Sequence, residues 1–552
     1  MKRRNFIKLT SAAAAAPIVL NGLPLKAFAT PDMLRAMNCS EVKERILVLI
    51  QLRGGNDGLN TLIPINQYTD YRTARPNIFI PDAGANSYIT LDTSLPANQQ
   101  IGLHPAMTEI KSLYDQGKVS IIQGVAYNDQ NRSHFKSTDL WLSAGDGTPA
   151  NFNKTSGWMG RYLNFTYPGL AGNPQPFMPD PLGIQLGDPK PSLGFHTEQE
   201  HSSGINLSGQ DPSGFYSLIS EIGGPGLKNI PDSEYGDEIQ FIMDMEASTS
   251  KYAQRISDVF NQGINMGNYP NHDLADQLKT VARLINGGCQ SKVYLVQLNG
   301  FDTHVNQVEA GASTTGDHAE LLLELSESVK AFLDDLELMS LDNKVIAATF
   351  SEFGRKPGEN GSFGTDHGDL APMFIFGKAV NPGIIGENPD FSTVQNNLFV
   401  GYQHDYRQVF TTLVQDWLGA SNDALMATEM DAYLPNKLAI VDKDHYVDPA
   451  CYFSQITDTT DIEQEIEVAY TFFPNPVQEE VHISFSSTLS HLATVFLRDI
   501  HGRLILQEKH QILAGPNMID VEFPDLPNGP YILQLVSDQG ANMASEKVML
   551  RR

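Results

Sequence analysis

Val345-Ile-Ala-Ala-Thr-Phe-Ser-Glu-Phe-Gly-Arg355, followed within a dozen residues by Gly364-Thr-Asp-His-Gly368, is the stretch that decides the fold. A β-branched apolar run that stops abruptly at Ser351, Glu352 and Arg355 has the form of a buried parallel strand carrying polar groups to its carboxyl edge, where open α/β sheets place their sites. Two further stretches share that form: Ile46-Leu-Val-Leu-Ile-Gln-Leu-Arg-Gly-Gly-Asn-Asp57 and Val293-Tyr-Leu-Val-Gln-Leu-Asn-Gly-Phe-Asp-Thr-His304. Three strands thus end in an acid, or in an acid with histidine.

The segments between them are helical. Leu274, Leu278, Val281, Ala282 and Ile285 fall on one helix face, which Gly287-Gly288 ends with a left-handed cap. Asp317 and Glu320 form a capping-box-like start for a helix whose Leu322, Leu325, Val329 and Phe332 face a core. Strand, helix, strand in this order implies a right-handed crossover and a parallel sheet with helices on both faces. Val119–Val125 and Met373–Phe376 are further strands; His104–Tyr114, Ile239–Phe260 and Asp405–Leu418 read as helices.

At 552 residues the chain is too long for one ordinary core. With 38 basic against 65 acidic residues and a net charge of -27, it lacks the clustered Lys and Arg that a nucleic-acid backbone requires. Cys39, Cys289 and Cys451 are scattered without CxxC spacing, so neither a disulfide framework nor a thiolate zinc site is indicated.

Met1-Lys-Arg-Arg-Asn-Phe-Ile-Lys8, an apolar stretch from Leu9 to Leu20 and the small-residue site Ala27-Phe28-Ala29 form a cleavable leader over 1–29. The apolar stretch is shorter than the roughly 20 residues that span a bilayer, so no transmembrane anchor is expected in the mature chain. An α/β domain over 30–457 follows, then a polar, acidic linker at 458–467. From 468 to 552 short alternating strands, separated by turns such as Asn528-Gly529, have the spacing of a small all-β sandwich.

Three resemblances add to this reading. Arg3-Arg4-Asn-Phe-Ile-Lys8 resembles the twin-arginine signal, which implies the twin-arginine translocase as a partner. Gln51-Leu-Arg-Gly-Gly-Asn-Asp-Gly58, Asn131-Arg-Ser-His-Phe135, Gly300-Phe-Asp-Thr-His304, Thr349-Phe-Ser-Glu-Phe-Gly-Arg355 and Gly364-Thr-Asp-His-Gly368 resemble, in order, the exported bacterial family catalogued as domain of unknown function 1501. That family is related to the alkaline phosphatase and sulfatase superfamily, which implies an alkaline-phosphatase-like α/β core with metal-binding Asp and His at strand ends. Phe473-Pro-Asn-Pro-Val477, Leu497-Arg-Asp-Ile-His-Gly502 and Leu526-Pro-Asn-Gly-Pro-Tyr-Ile-Leu533 resemble the type A sorting domain of type IX secretion. This implies passage through the periplasm to the cell surface or medium, with the type IX machinery as partner.

Compared residue by residue, the superfamily implies Asp57 as a metal ligand at the first strand end and Ser133 as a nucleophile opening a helix. It implies Asp302 with His304 or His318 at one metal, and His367 as a last ligand. Where the superfamily has an Asp-His pair, this chain has Ser351-Glu352, which leaves one metal, or none, open. Sulfatase chemistry of the usual kind needs a modified Cys or Ser followed by Pro and Arg, and Ser133-His-Phe-Lys136 lacks it.

The residues themselves carry the same alternatives. Asp57, Asp302, Glu352, Asp366, His304 and His367 mix oxygen and imidazole ligands, a set suited to zinc, manganese, magnesium or calcium. Such an ion activates a water or Ser133, while Arg355 or Arg132 holds a substrate anion; alternatively the acids and histidines staple loops, and Ser133 caps its helix. His104, His134 and His196 stand outside the acid-rich strand ends and read as structural; Trp141, Trp158 and Trp417 read as core. Two functions remain: an exported metal-dependent hydrolase of phosphate or sulfate esters, acting on a small anionic ester or surface glycan, and a non-catalytic cell-surface binding or assembly protein retaining the hydrolase fold.

Overall fold

The structure, a computed structural model, describes residues 18–20, 23–25, 44–168, 252–446 and, with short gaps, 170–212 and 471–552. The cleavage site at Ala27–Ala29, Cys39, Cys451, residues 239–251 of the expected helix and the linker at 458–467 lie outside the described residues. The chain divides into two compact units, Met1–Tyr452 and Phe453–Arg552. No helix among the described residues is long and apolar enough to cross a membrane.

The first unit is built on a nine-stranded sheet. Its strands are β1 (Ile46–Arg53), β2 (Val119–Ala126), β3 (Gly183–Gln185), β4 (Gly204–Asn206), β5 (Val293–Asn299), β6 (Val345–Phe350), β7 (Ala371–Phe376), β8 (Gly383–Ile385) and β9 (His404–Asp405). Their order is β8-β2-β7-β6-β1-β5-β3-β4, with β9 also on β2. Strand β1 is central, parallel to β5 on one side and to β6 on the other. Its alternate side chains enter different cores. Leu47 and Leu49 join Trp141, Trp158 and Trp417 on one face, whereas Val48 and Ile50 join the helices of the other. A strand buried on both faces has no polar side to alternate, which is why it appears in sequence as a continuous apolar run.

Two long helices cover the second face, α2 (Asp273–Asn286) and α3 (Asp317–Leu338), after the shorter α1 (His134–Ser143) on the first. The glycine pair after α2 ends it as expected, with Gly288 at φ +89°. The start of α3 differs from expectation. Gly316 at φ +114° is its N-cap, and Asp317 lies in the first turn without capping it. There its charge still favours the helix through the dipole.

The sheet is mixed where a purely parallel one was expected. Strand β7 runs antiparallel to both β6 and β2. Between β6 and β7 the chain forms a loop with no crossover helix, so β7 starts at the edge where β6 ended and must run back. One loop therefore leaves the carboxyl edge and returns to it, holding everything from Ser351 to Asp369 at that edge.

The second unit is a β-sandwich. Strands β10 (Thr471–Phe473), β11 (Glu480–Ser487) and β14 (Gly515–Glu522) form one sheet; β12 (His491–Asp499), β13 (Leu504–Ile512), β15 (Gly529–Ser537) and β16 (Asn542–Leu550) form the other. Val481, Ile483 and Val521 of the first sheet meet Val495, Leu497, Leu533 and Val548 of the second in a core of their own. All alternate with outward residues, as sandwich strands do.

Candidate metal centre

Because β1, β2, β5 and β6 run the same way, their carboxyl ends share one edge, and four connecting segments meet there. The approach is close enough to require glycine. Gly54 has φ +125°, and a Cβ on it would lie 2.2 Å from the Asp302 backbone nitrogen. Gly55 faces the Phe353 ring, 2.4 Å from where its Cβ would be.

Asp302, after β5, is the hub. Its Oδ1 accepts from Arg355 Nη2 at 2.8 Å and lies 3.2 Å from His367 Nε2 and 3.3 Å from His304 Nε2. Its Oδ2 lies 3.3 Å from His134 Nε2. His304 and His367 bring their Nε2 atoms within 2.9 Å of each other. Three imidazoles thus turn the same nitrogen toward one carboxylate.

Their other nitrogens explain why. His367 Nδ1 is 2.8 Å from the Arg132 carbonyl, which can only accept, so Nδ1 carries the proton and Nε2 the lone pair. His134 Nδ1 faces Glu352 Oε1 at 2.9 Å, with the same consequence. His304 Nδ1 lies 3.4 Å from Asp366 Oδ1. A histidine held through Nδ1 by a carboxylate or carbonyl is the arrangement that orients imidazole for metal.

Glu352 is fully buried beneath this group. Its Oε1 also accepts from the Gly54 backbone N–H at 2.9 Å, whereas Oε2 has no hydrogen-bond partner among the described residues. An unsatisfied buried acceptor is costly, and a cation or bound donor would relieve it. The Phe353 ring packs on His367 and His134 with centroids 4.5 and 4.9 Å away.

The electrostatics follow from these contacts. Burial pushes the Asp302 carboxyl up, but the hydrogen bond and the charge of Arg355 outweigh it and hold it below the usual range. Burial holds His367 below the ordinary imidazole value, whereas the Glu352 hydrogen bond holds His134 above it.

The expected site residues separate into groups. Asp302, His304 and His367 face one another; Glu352 and Asp366 stand behind the histidines, at their Nδ1 atoms. Asp57 and His318 are not brought to the cluster. Asp57 is fully buried, with Oδ2 taken by Arg75 Nη1 at 2.6 Å and Gln307 Nε2 at 2.5 Å, and Oδ1 capping Leu59. His318 Nε2 meets Asn56 Oδ1 at 3.1 Å in the same buried layer. Both sit one layer below, where a helix-borne arginine neutralises the acid.

Arg355 is not available as an anion clamp. Its Nε and Nη1 donate to Gly55 and Thr365 carbonyls, its Nη2 serves Gly54, Phe301 and Asp302, and its side chain is fully buried, so the guanidinium is engaged inside the protein. Arg132 forms a bidentate pair with Asp369, both bonds at 2.7 Å. Ser133 is exposed at the N-cap of α1, yet its side chain makes no capping hydrogen bond.

His134, expected to stand apart from the acid-rich strand ends, is brought to the cluster. Together with Asp302 and His367 it forms the one group among the described residues whose ligand atoms, all within 4.8 Å of one another, could hold a metal ion. The available signal was its position, opening the helix that follows a strand's carboxyl end. His104 does stay in the core, its Nδ1 accepting from the Ala106 N–H at 3.1 Å.

Residues 267–421 match the family model described as "Protein of unknown function (DUF1501)", and residues 471–551 match the secretion system C-terminal sorting domain. No curated protein matches the chain. Among solved structures, a protein of the alkaline phosphatase superfamily from Vibrio parahaemolyticus aligns with 9% identity and TM-score 0.33, over 100% of this chain and 91% of that one. A sulfatase from Pseudoalteromonas sp. aligns with 11% identity and TM-score 0.30, over 89% and 86%. The alkaline phosphatase of the Antarctic bacterium TAB5 aligns with 11% identity and TM-score 0.24, over 61% and 91%.

Proposed function

We propose that this chain is an exported metal-dependent hydrolase of phosphate or sulfate esters, with His134, His367 and Asp302 as metal ligands. The observation that carries the reading is the common orientation of the imidazoles, with Nδ1 held and Nε2 turned to Asp302. A tetrahedral site with ligand distances of about 2.0–2.1 Å has edges of about 3.3–3.4 Å. Through Oδ1 the contacts of Asp302 with His367 and His304, at 3.2 and 3.3 Å, match such edges, while His134 faces Oδ2 of the same carboxylate at 3.3 Å. Neutral nitrogens with one carboxylate suit zinc or manganese better than magnesium or calcium, which favour all-oxygen shells.

A bound ion would supply Lewis-acid and water-activating chemistry. The chain's own residues do the rest. Glu352 and the Arg132 carbonyl fix the ring orientations, and Arg355 pins Asp302 and offsets its charge. Ser133, free of a capping duty and directly before His134, is the proposed nucleophile toward the ester. The Asp302 side chain is 49% exposed, so an ester can approach from solvent.

The non-catalytic reading keeps one observation in its favour. If His304 also binds, four protein ligands close the tetrahedron, as structural sites do, and no position is left for substrate. Metal analysis of the purified mature protein, with an ester panel on metal-loaded samples, separates the two. Metal with turnover supports the hydrolase, metal without turnover the binding protein, and absence of metal overturns both forms of the centre.

The sorting-domain match supports delivery to the surface or medium through type IX secretion, and the leader supports the twin-arginine route as the first step.

A further inference from the structure

A groove runs beside the cluster, between α1 and the loop after β3, at the carboxyl ends of β1 and β5. It encloses about 630 Å³, counting the solvent at its mouth, and His134 forms part of its wall. Its chemistry is specific in three ways.

First, Gln51 and Gln297, neighbours in register on β1 and β5, bond to each other at 3.0 Å through Gln297 Nε2 and Gln51 Oε1. This leaves Gln51 Nε2, a donor, and Gln297 Oε1, an acceptor, buried without partners among the described residues. Such a pair complements a hydroxyl, which both donates and accepts. Second, cationic capacity is unspent. Arg53 meets Asp188 through Nη1 alone, at 2.6 Å, and the Lys190 ammonium, in the exposed loop, has no partner among the described residues. Third, Phe135 offers a wall that is 74% exposed, a large apolar face left in water.

We propose that this groove is a subsite for an acidic saccharide unit: hydroxyls on the glutamine pair, the C–H face of the ring on Phe135, and a carboxylate or sulfate at Lys190 and Arg53. The inference rests on the reading of His134 as part of the reaction centre, which would make the sugar the portion of the ester next to the reacting group. A ligand with fewer hydroxyls would leave the glutamine amides unpaired, and an uncharged one would leave Lys190 unused.

The test is binding, not turnover. Calorimetric titration of the full mature chain, stripped of metal by chelation, uses a galacturonic acid trisaccharide and, as neutral comparison, cellotriose. The acidic probe is expected to bind at least tenfold more tightly than the neutral one. Lys190→Ala should remove that preference, and Phe135→Ala should weaken both probes about tenfold; both positions are exposed, and melting curves confirm their folding. Equal affinity for the two probes, no binding of either, or wild-type affinity in Lys190→Ala and Phe135→Ala overturns the subsite. Saccharide binding by a protein that hydrolyses no ester keeps the subsite and rejects the hydrolase.

Discussion

His134 Nδ1 stands 2.9 Å from Glu352 Oε1, a contact that joins the helix after β2 to the loop after β6 across 218 residues of sequence. In the proposed centre this pair would be the carboxylate–histidine half of a carboxylate–histidine–metal relay, with His134 Nε2 turned to Asp302. Glu352→Gln keeps the shape but removes the charge that makes the ring a strong ligand. Metal retention is expected to fall about 10–100-fold, with a far-UV spectrum like wild type. Competition with a chromophoric chelator measures it, and unchanged retention contradicts the orienting role.

Asp57 and Asp302 end equivalent strands, yet their substitution should have opposite consequences. Asp57 is fully buried against Arg75, whose charge with its hydrogen bond outweighs burial and holds the carboxyl below its ordinary value. Asp57→Asn strands a buried guanidinium and should destabilise the fold by about 3–5 kcal/mol while metal stoichiometry in the folded fraction stays the same. Denaturant melts and metal analysis on one sample check both halves.

In that same layer His318 meets His104 edge to face, centroids 6.2 Å apart, and burial pushes the His104 and His318 imidazoles down to about 3 and about 4. Both folded values lie below the unfolded value of about 6.5. The unfolded chain therefore binds protons that the folded chain refuses, so this stability is present above about pH 6.5 and is lost as pH falls toward 4. Thermal melts between pH 7 and pH 4 should show a falling Tm, with a shallower slope in His104→Asn. A flat profile in the wild type contradicts the account.

The strand ends were legible because a doubly buried strand must be apolar on both faces and any acid after it stands out. The antiparallel course of β7 was not. Met373–Phe376 is as apolar as its neighbours, and its direction is set by the missing crossover helix in the loop before it. Nor could sequence separate Asp57 from Asp302. The difference is Arg75, which reaches Asp57 from a separate helix end and takes it as its acid partner, whereas the arginine at Asp302, Arg355, serves four carbonyl groups besides. His134 was overlooked because its acid partner lies far along the chain, whereas His304 and His367 have acids beside them.

Export should fail at two distinguishable stages. Arg3→Lys with Arg4→Lys is expected to hold the precursor in the cytoplasm, if the leader is read by the twin-arginine translocase. Deletion from Phe472 onward removes nearly all of the segment matched by the sorting-domain model and should leave the α/β unit, which has its own cores, in the periplasm. Fractionation with immunoblotting reads both. Normal surface or medium levels of the truncated chain contradict the sorting role.

The sharpest test of chemistry contrasts Ser133 with Asp302. Asp302→Asn withdraws the negative charge on which three imidazoles and Arg355 converge, so it should release metal and, with it, any ester hydrolysis. Ser133→Ala touches none of those contacts, because the Ser133 side chain makes no capping bond and the Arg132 carbonyl that orients His367 is backbone. Metal content and melting temperature should therefore match wild type while phosphomonoesterase or phosphodiesterase turnover falls at least about a hundredfold, the loss expected when a covalent nucleophile is removed. Metal analysis beside single-turnover assays on the two variants measures both quantities. If Ser133→Ala turns over normally with metal bound, the nucleophile is a water and not the serine; if Asp302→Asn keeps its metal, the hub of the centre has been misplaced.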